Sequence, residues 1–102
     1  MQLELSRFIE GDLDDIAGYI AQANPRRAVT FIQDIRAKFR DIQRNPLIYR
    51  LRPDIGEGAR MATVGNYAIL FRVIGEGVRI ERVTYAARDL AVALSPAASD
   101  LS

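Results

Sequence analysis

Between Asn24-Pro25 and Asn45-Pro46, the residues Ala28, Ile32, Ile35, Phe39 and Ile42 recur at steps of four, three, four and three. A helix is the conformation that gathers such positions on one face. Asn24 is placed to cap it with Pro25 at its first position, and Asn45-Pro46 stops it. The segment before it repeats the pattern with Ile9, Leu13, Ile16 and Ile20. Ser6 stands where it would cap this first helix. Glu10, Asp12, Asp14 and Asp15 crowd its early turns, where negative charge suits the positive end of the helix dipole. Gly11 and Gly18 weaken the helix without breaking the pattern. Two helices with almost no linker between them must fold back as an antiparallel hairpin.

The rest of the chain reads as strands. Gln2–Ser6 alternates weakly and predicts a short first strand. Leu47–Ala59 carries Pro53, Gly56 and Gly58 and crosses to a sheet formed by Arg60–Val64, Tyr67–Ile74 and Val78–Tyr85. Gly65-Asn66 has the chemistry of a two-residue hairpin turn. The second hairpin admits two registers. A turn at Glu76-Gly77 sets Arg72 opposite Glu81 and Val73 opposite Ile80, whereas a loop of Gly75–Gly77 sets Arg72 opposite Ile80. The first is expected, because it pairs opposite charges and groups the aliphatics. A short helix is expected over Arg88–Leu94, and residues 95–102 read as a flexible, frayed tail. The fold class is therefore α+β. An N-terminal strand and an antiparallel two-helix hairpin pack on an antiparallel β-sheet completed by a C-terminal three-stranded meander. One domain spans residues 1–94. Its core should draw on Leu13, Ile16, Ile20, Ile32, Ile35, Phe39 and Ile42 from the helices and on Ile69, Phe71, Val73 and Ile80 from the sheet.

A chain of 102 residues supports one modest core. No run of about 18 apolar residues is present, so no transmembrane helix is expected, and no secretory signal is visible. Cysteine and histidine are both absent, which removes thiol chemistry, the commonest general base and the commonest metal ligand. No metal site and no cofactor is expected, and a cytoplasmic location fits. Net charge is only +1, yet residues 1–23 set Glu4, Glu10, Asp12, Asp14 and Asp15 against Arg7. Residues 24–45 set Arg26, Arg27, Arg36, Lys38, Arg40 and Arg44 against Asp34 and Asp41.

Each charged group has a plain reading beside a functional one. The acidic run on the first helix lacks the ligand alternation of a calcium loop and reads as a solvated face. The basic residues of the second helix scatter around its polar side; they too read as solvated, with an acidic partner or a nucleic acid as the alternative. Arg72 and Arg82 lie within apolar strand runs, where an unpaired charge is costly. Glu81 and Asp89 are available partners, and a salt bridge is expected for Arg72. For Arg82 and Arg88, structural and partner-binding roles are both open. Tyr85 is the one candidate for acid–base chemistry, on an RNA 2′-hydroxyl with Arg82 beside it, and otherwise a packed aromatic with a hydrogen-bonded hydroxyl.

These segments, in this order, resemble the ParE/RelE superfamily of type II toxins, and the ParE branch in particular. The stretches Asp12-Leu13-Asp14-Asp15-Ile16 and Tyr19-Ile20-Ala21 are similar to the family's first helix. Asn24-Pro25 with Ala28 and Phe31-Ile32 is similar to the start of its second. Arg52-Pro53-Asp54-Ile55-Gly56-Glu57-Gly58-Ala59-Arg60 resembles its loop into the sheet. Val64-Gly65-Asn66-Tyr67 and Leu70-Phe71-Arg72-Val73 resemble its central hairpin, and Ala87-Arg88-Asp89 the end of its closing motif. Where ParE-like chains commonly read His-Gly-Ala-Arg-Asp, this one has Tyr85-Ala86-Ala87-Arg88-Asp89. Where they commonly read Phe-Tyr-Arg, it has Leu70-Phe71-Arg72. The resemblance implies a plasmid-stabilisation toxin that poisons DNA gyrase by binding, without bond-making chemistry. It also implies a small ParD-like antitoxin that silences the toxin in a hetero-oligomer, with DNA met only through that antitoxin. The binding surface would include Arg60, Arg72, Arg82, Tyr85 and Arg88. RelE-type relatives, which cleave messenger RNA on the ribosome, supply the alternative in which Tyr85 and Arg82 are catalytic. A non-toxic antitoxin-binding relative is the third reading.

Overall fold

The computed structural model describes residues 1–94. Its elements are β1 (Gln2–Leu5), α1 (Ile9–Ala21), α2 (Pro25–Arg44), β2 (Arg60–Val64), β3 (Tyr67–Ile74), β4 (Gly77–Tyr85) and α3 (Leu90–Ala93), with a 3-10 turn at Pro46–Ile48. The α+β architecture is as expected. The flexible tail expected over residues 95–102 lies outside the described residues. Asn24 caps α2 through its side-chain oxygen, which accepts from the Arg27 N–H at 3.1 Å, and Pro25 opens the helix. Ser6 does not cap α1. Phe8 holds that position without a side-chain cap. The Ser6 hydroxyl instead donates to the Glu81 carbonyl at 2.6 Å and accepts from the Phe8 N–H at 3.3 Å, tying the end of β1 to β4. The last helix is shorter than Arg88–Leu94 because Asp89 is its cap, accepting from the Ala91 and Val92 N–H groups.

The sheet runs β1-β4-β3-β2. The meander is antiparallel as expected, but β1 joins β4 in parallel, making the sheet mixed. A parallel neighbour needs a long crossover, and the helical hairpin with β2 and β3 supplies it. Gly65 and Asn66 form the first turn, with Val64 opposite Tyr67.

Neither expected register of the second hairpin holds. Ile74 pairs with Gly77, so Gly75-Glu76 is the turn, and Gly75 takes the left-handed backbone at φ +59°. Val73 then faces Val78, Arg72 faces Arg79 and Phe71 faces Ile80, but Leu70 faces Arg82. Glu81 is an extra residue on β4, a β-bulge. The side chains explain it. Val78 and Ile80 point to the helices, and strict alternation would send Arg82 into the core after them. The bulge turns the strand by one position, so Val83 is buried instead.

The main core lies between the hairpin and the sheet: Ile9, Leu13, Ile16, Phe31, Ile35, Phe39 and Ile42 against Ala62, Ile69, Phe71, Val78, Ile80 and Val83. Ile20 and Ile32 are only half-buried at its margin, and Val73, near the tip of the second hairpin, lies outside it. Phe31, one step from Ile32 on the helix, takes the buried place. A smaller cluster on the other face of the sheet joins Ile55, Ala59, Ala68 and Leu70, covered by Met61, Leu90 and Leu94.

Candidate functional site

Beside the turn of the helical hairpin, α1, α2 and the ends of β3 and β4 enclose a groove of about 690 Å³. Its floor is aromatic. The Tyr67 ring lies 5.6 Å from Phe31 and 5.7 Å from Tyr85, and the Arg27 guanidinium covers Phe31 at 5.0 Å. Gly65, at φ +55°, brings its backbone close to Phe31; a Cβ there would stand 3.2 Å from the ring. Tyr19 reaches out from α1, largely exposed, and Tyr85 is 46% exposed. Asp15, Asn66 and Arg88 complete the rim. Burial first, then the neighbouring Tyr19 and Tyr85, raise the Tyr67 hydroxyl above its ordinary value of 10.0, with Arg88 opposing them. Its phenol is therefore neutral at physiological pH and offers a hydrogen bond rather than a base.

Arg82 stands at the edge of this groove but is fully engaged. Its Nε and Nη2 donate to both carboxylate oxygens of Asp12 at 3.0 and 2.9 Å, its Nη1 donates to the Ala93 carbonyl at 3.3 Å, and it stacks 4.6 Å from the Phe8 ring centroid. Asp12 also accepts from the Val83 N–H at 3.0 Å. The aspartate hydrogen bond outweighs burial, which opposes it, and raises the Arg82 pKa further. Asp12 is thus no part of a solvated acidic face: its side chain is 10% exposed. Of the two carboxylates available to the strand arginines, Glu81 is taken by Arg72 and Asp89 caps α3.

The remaining candidate arginines lie apart from the groove. Arg60 donates to the Tyr49 carbonyl at 2.6 Å. Arg72 donates to the Glu57 carbonyl at 2.9 Å and to Glu81 at 2.6 Å, so the expected Arg72–Glu81 salt bridge forms, diagonally across the bulge. Of the five expected binding residues, the groove brings together Arg82, Tyr85 and Arg88; among the described residues Arg88 has no ion pair. On α2, Arg27 pairs with Asp34, Arg36 with Glu10 and Arg44 with Asp41, which leaves its basic face discontinuous. Tyr19, Tyr67 and Phe31 are groove residues that the sequence reading did not single out. Tyr19 carries a usable signal, since it falls off the apolar stripe of Ile16 and Ile20 and had to be exposed. Among the described residues no group of three or more Asp or Glu side chains is arranged to hold a metal, and no helix is long and apolar enough to cross a membrane.

A helical hairpin laid across one face of a four-stranded sheet, with an aromatic groove open at its end, defines a small α+β domain. The chain matches the family described as the ParE toxin of the type II toxin-antitoxin system, parDE, over residues 3–90, and it belongs to that family. It is also similar to a solved structure described as the chromosomal ParDE TA system from P. aeruginosa. That likeness has a TM-score of 0.72 at 28% identity, over 83% of this chain and 95% of that one. No curated protein sequence matches significantly.

Proposed function

We propose that this chain inhibits growth by binding DNA gyrase and holding it on broken DNA, and that a ParD-like antitoxin neutralises it in the cytoplasm. The family match across residues 3–90 carries this reading. Action by binding means favouring one state of the target by engaging that state more tightly. The groove chemistry is consistent with it. Arg82 is consumed by Asp12, and the raised Tyr67 hydroxyl keeps its proton, so neither group is set up to move protons. An antitoxin segment carrying carboxylates and bulky apolar side chains fits a groove rimmed by Arg27 and Arg88 and lined by tyrosines.

The test is to induce the chain without its antitoxin and assay for gyrase covalently trapped on cleaved DNA. Trapped gyrase is expected, and Tyr85→Phe, which keeps the ring and removes the hydroxyl, should preserve it. Growth arrest with intact DNA, abolished by Tyr85→Phe, would instead make the chain a messenger-RNA nuclease, a reading favoured only by the exposure of Tyr85 beside Arg88. No arrest from soluble protein would leave a non-toxic antitoxin-binding relative.

A further inference from the structure

The opposite face of the sheet carries an arrangement unrelated to the groove. Arg72 and Arg79 are direct cross-strand partners, a placement in which like charges repel. One carboxylate, that of Glu81, lies between them, 2.6 Å from Arg72 Nη1 and 3.0 Å from Arg79 Nε. The second contact is close but not aligned as a hydrogen bond. The other nearby acid, Glu4, is 3.9 Å from Arg79 Nε and 70% exposed, a loose contact. Among the described residues, neither terminal nitrogen of Arg79 has a hydrogen-bond partner, and neither does Nη2 of Arg72. These groups line an open pocket of about 370 Å³ bounded by β1, β4 and the end of α3.

We propose that this pocket is a receptor for one carboxylate of an acidic protein segment, which takes the place Glu4 holds loosely. A carboxylate is the anion that already approaches this place, that of Glu4, 3.9 Å from Arg79 Nε. Two guanidiniums share the one well-placed carboxylate of Glu81, Arg7 lines the same pocket, and a guanidinium fork matches a further carboxylate in two parallel hydrogen bonds. Alternation along β4 presents Arg79 and Glu81 to the same face, beside Arg72 on β3. This proposal goes beyond the toxin reading and does not depend on the identity of the target.

The experiment titrates the isotopically labelled, full-length protein with sodium acetate and, separately, with inorganic phosphate at constant ionic strength, following arginine side-chain N–H resonances. Saturable acetate shifts are expected at Arg79 and Arg72, while Arg26 and Arg40 on α2 drift without saturating. Glu4→Gln removes the loose competitor and should tighten acetate binding by about two- to fivefold, the range of an exposed ion pair. In Arg79→Ala, and in Arg79→Lys, which keeps the charge but not the fork, the Arg72 resonance should no longer saturate. Backbone spectra verify that each variant is folded. Uniform, non-saturating drift of all arginines would overturn the receptor. Tighter binding of phosphate than of acetate would overturn its assignment to a carboxylate.

Discussion

Asp12 engages β4 with both carboxylate oxygens, and its partner Arg82 reaches in turn to α3 and Phe8. One pair therefore fastens α1, β4 and α3 together. Removing a single partner strands a nearly buried charge, which is costlier than removing both. Arg82→Ala should lower the unfolding free energy by about 3 kcal/mol, measured by urea denaturation. The double variant Asp12→Ala/Arg82→Ala should lose less than the sum of the two single changes. Additive losses would mean that the pair does not couple. The sequence announced the need without the answer: a charge inside an apolar run must find a partner, but Asp12 is seventy residues away.

At the scale of elements, local chemistry was the better guide. Helix periodicity, Asn24-Pro25, Asn45-Pro46 and Gly65-Asn66 act through neighbours in the chain, so α2 and the first hairpin were legible. The second hairpin was not, because Gly75, Glu76 and Gly77 permit several turns. The left-handed glycines of the two β-hairpin turns also differ in surroundings. A Cβ at Gly65 would press on Phe31, whereas at Gly75 it meets open space. Gly65→Ala should therefore cost about 2 kcal/mol, from backbone strain together with displacement of Phe31. Gly75→Ala should cost about 1 kcal/mol from backbone strain alone. Thermal melts of both variants check the order, and equal losses would remove Phe31 from the explanation.

Across the whole molecule, the two faces of the sheet are unequal. The helical face holds Ile35 and Ile42 without exposure, while the other is covered by half-buried Leu90 and Leu94. Ile35→Ala should cost about 2–5 kcal/mol. Leu90→Ala should cost less than about 1.5 kcal/mol, since less of its surface leaves water. Chemical denaturation that found Leu90→Ala the more damaging would make α3 an integral part of the core. The amino-acid sequence by itself determined the two helices, the meander and most of the helical side of the core, because periodicity and turn chemistry operate over a few residues. Tertiary structure decided the parallel seating of β1, the Asp12–Arg82 pair and the bulge at Glu81. That bulge sets which face Tyr85 occupies. Strict alternation from Val78 and Ile80 would have carried Tyr85 to the far face, away from Tyr67. The extra residue was selected by the cost of burying Arg82 against the gain of burying Val83, a balance that exists only once the helices lie on the sheet.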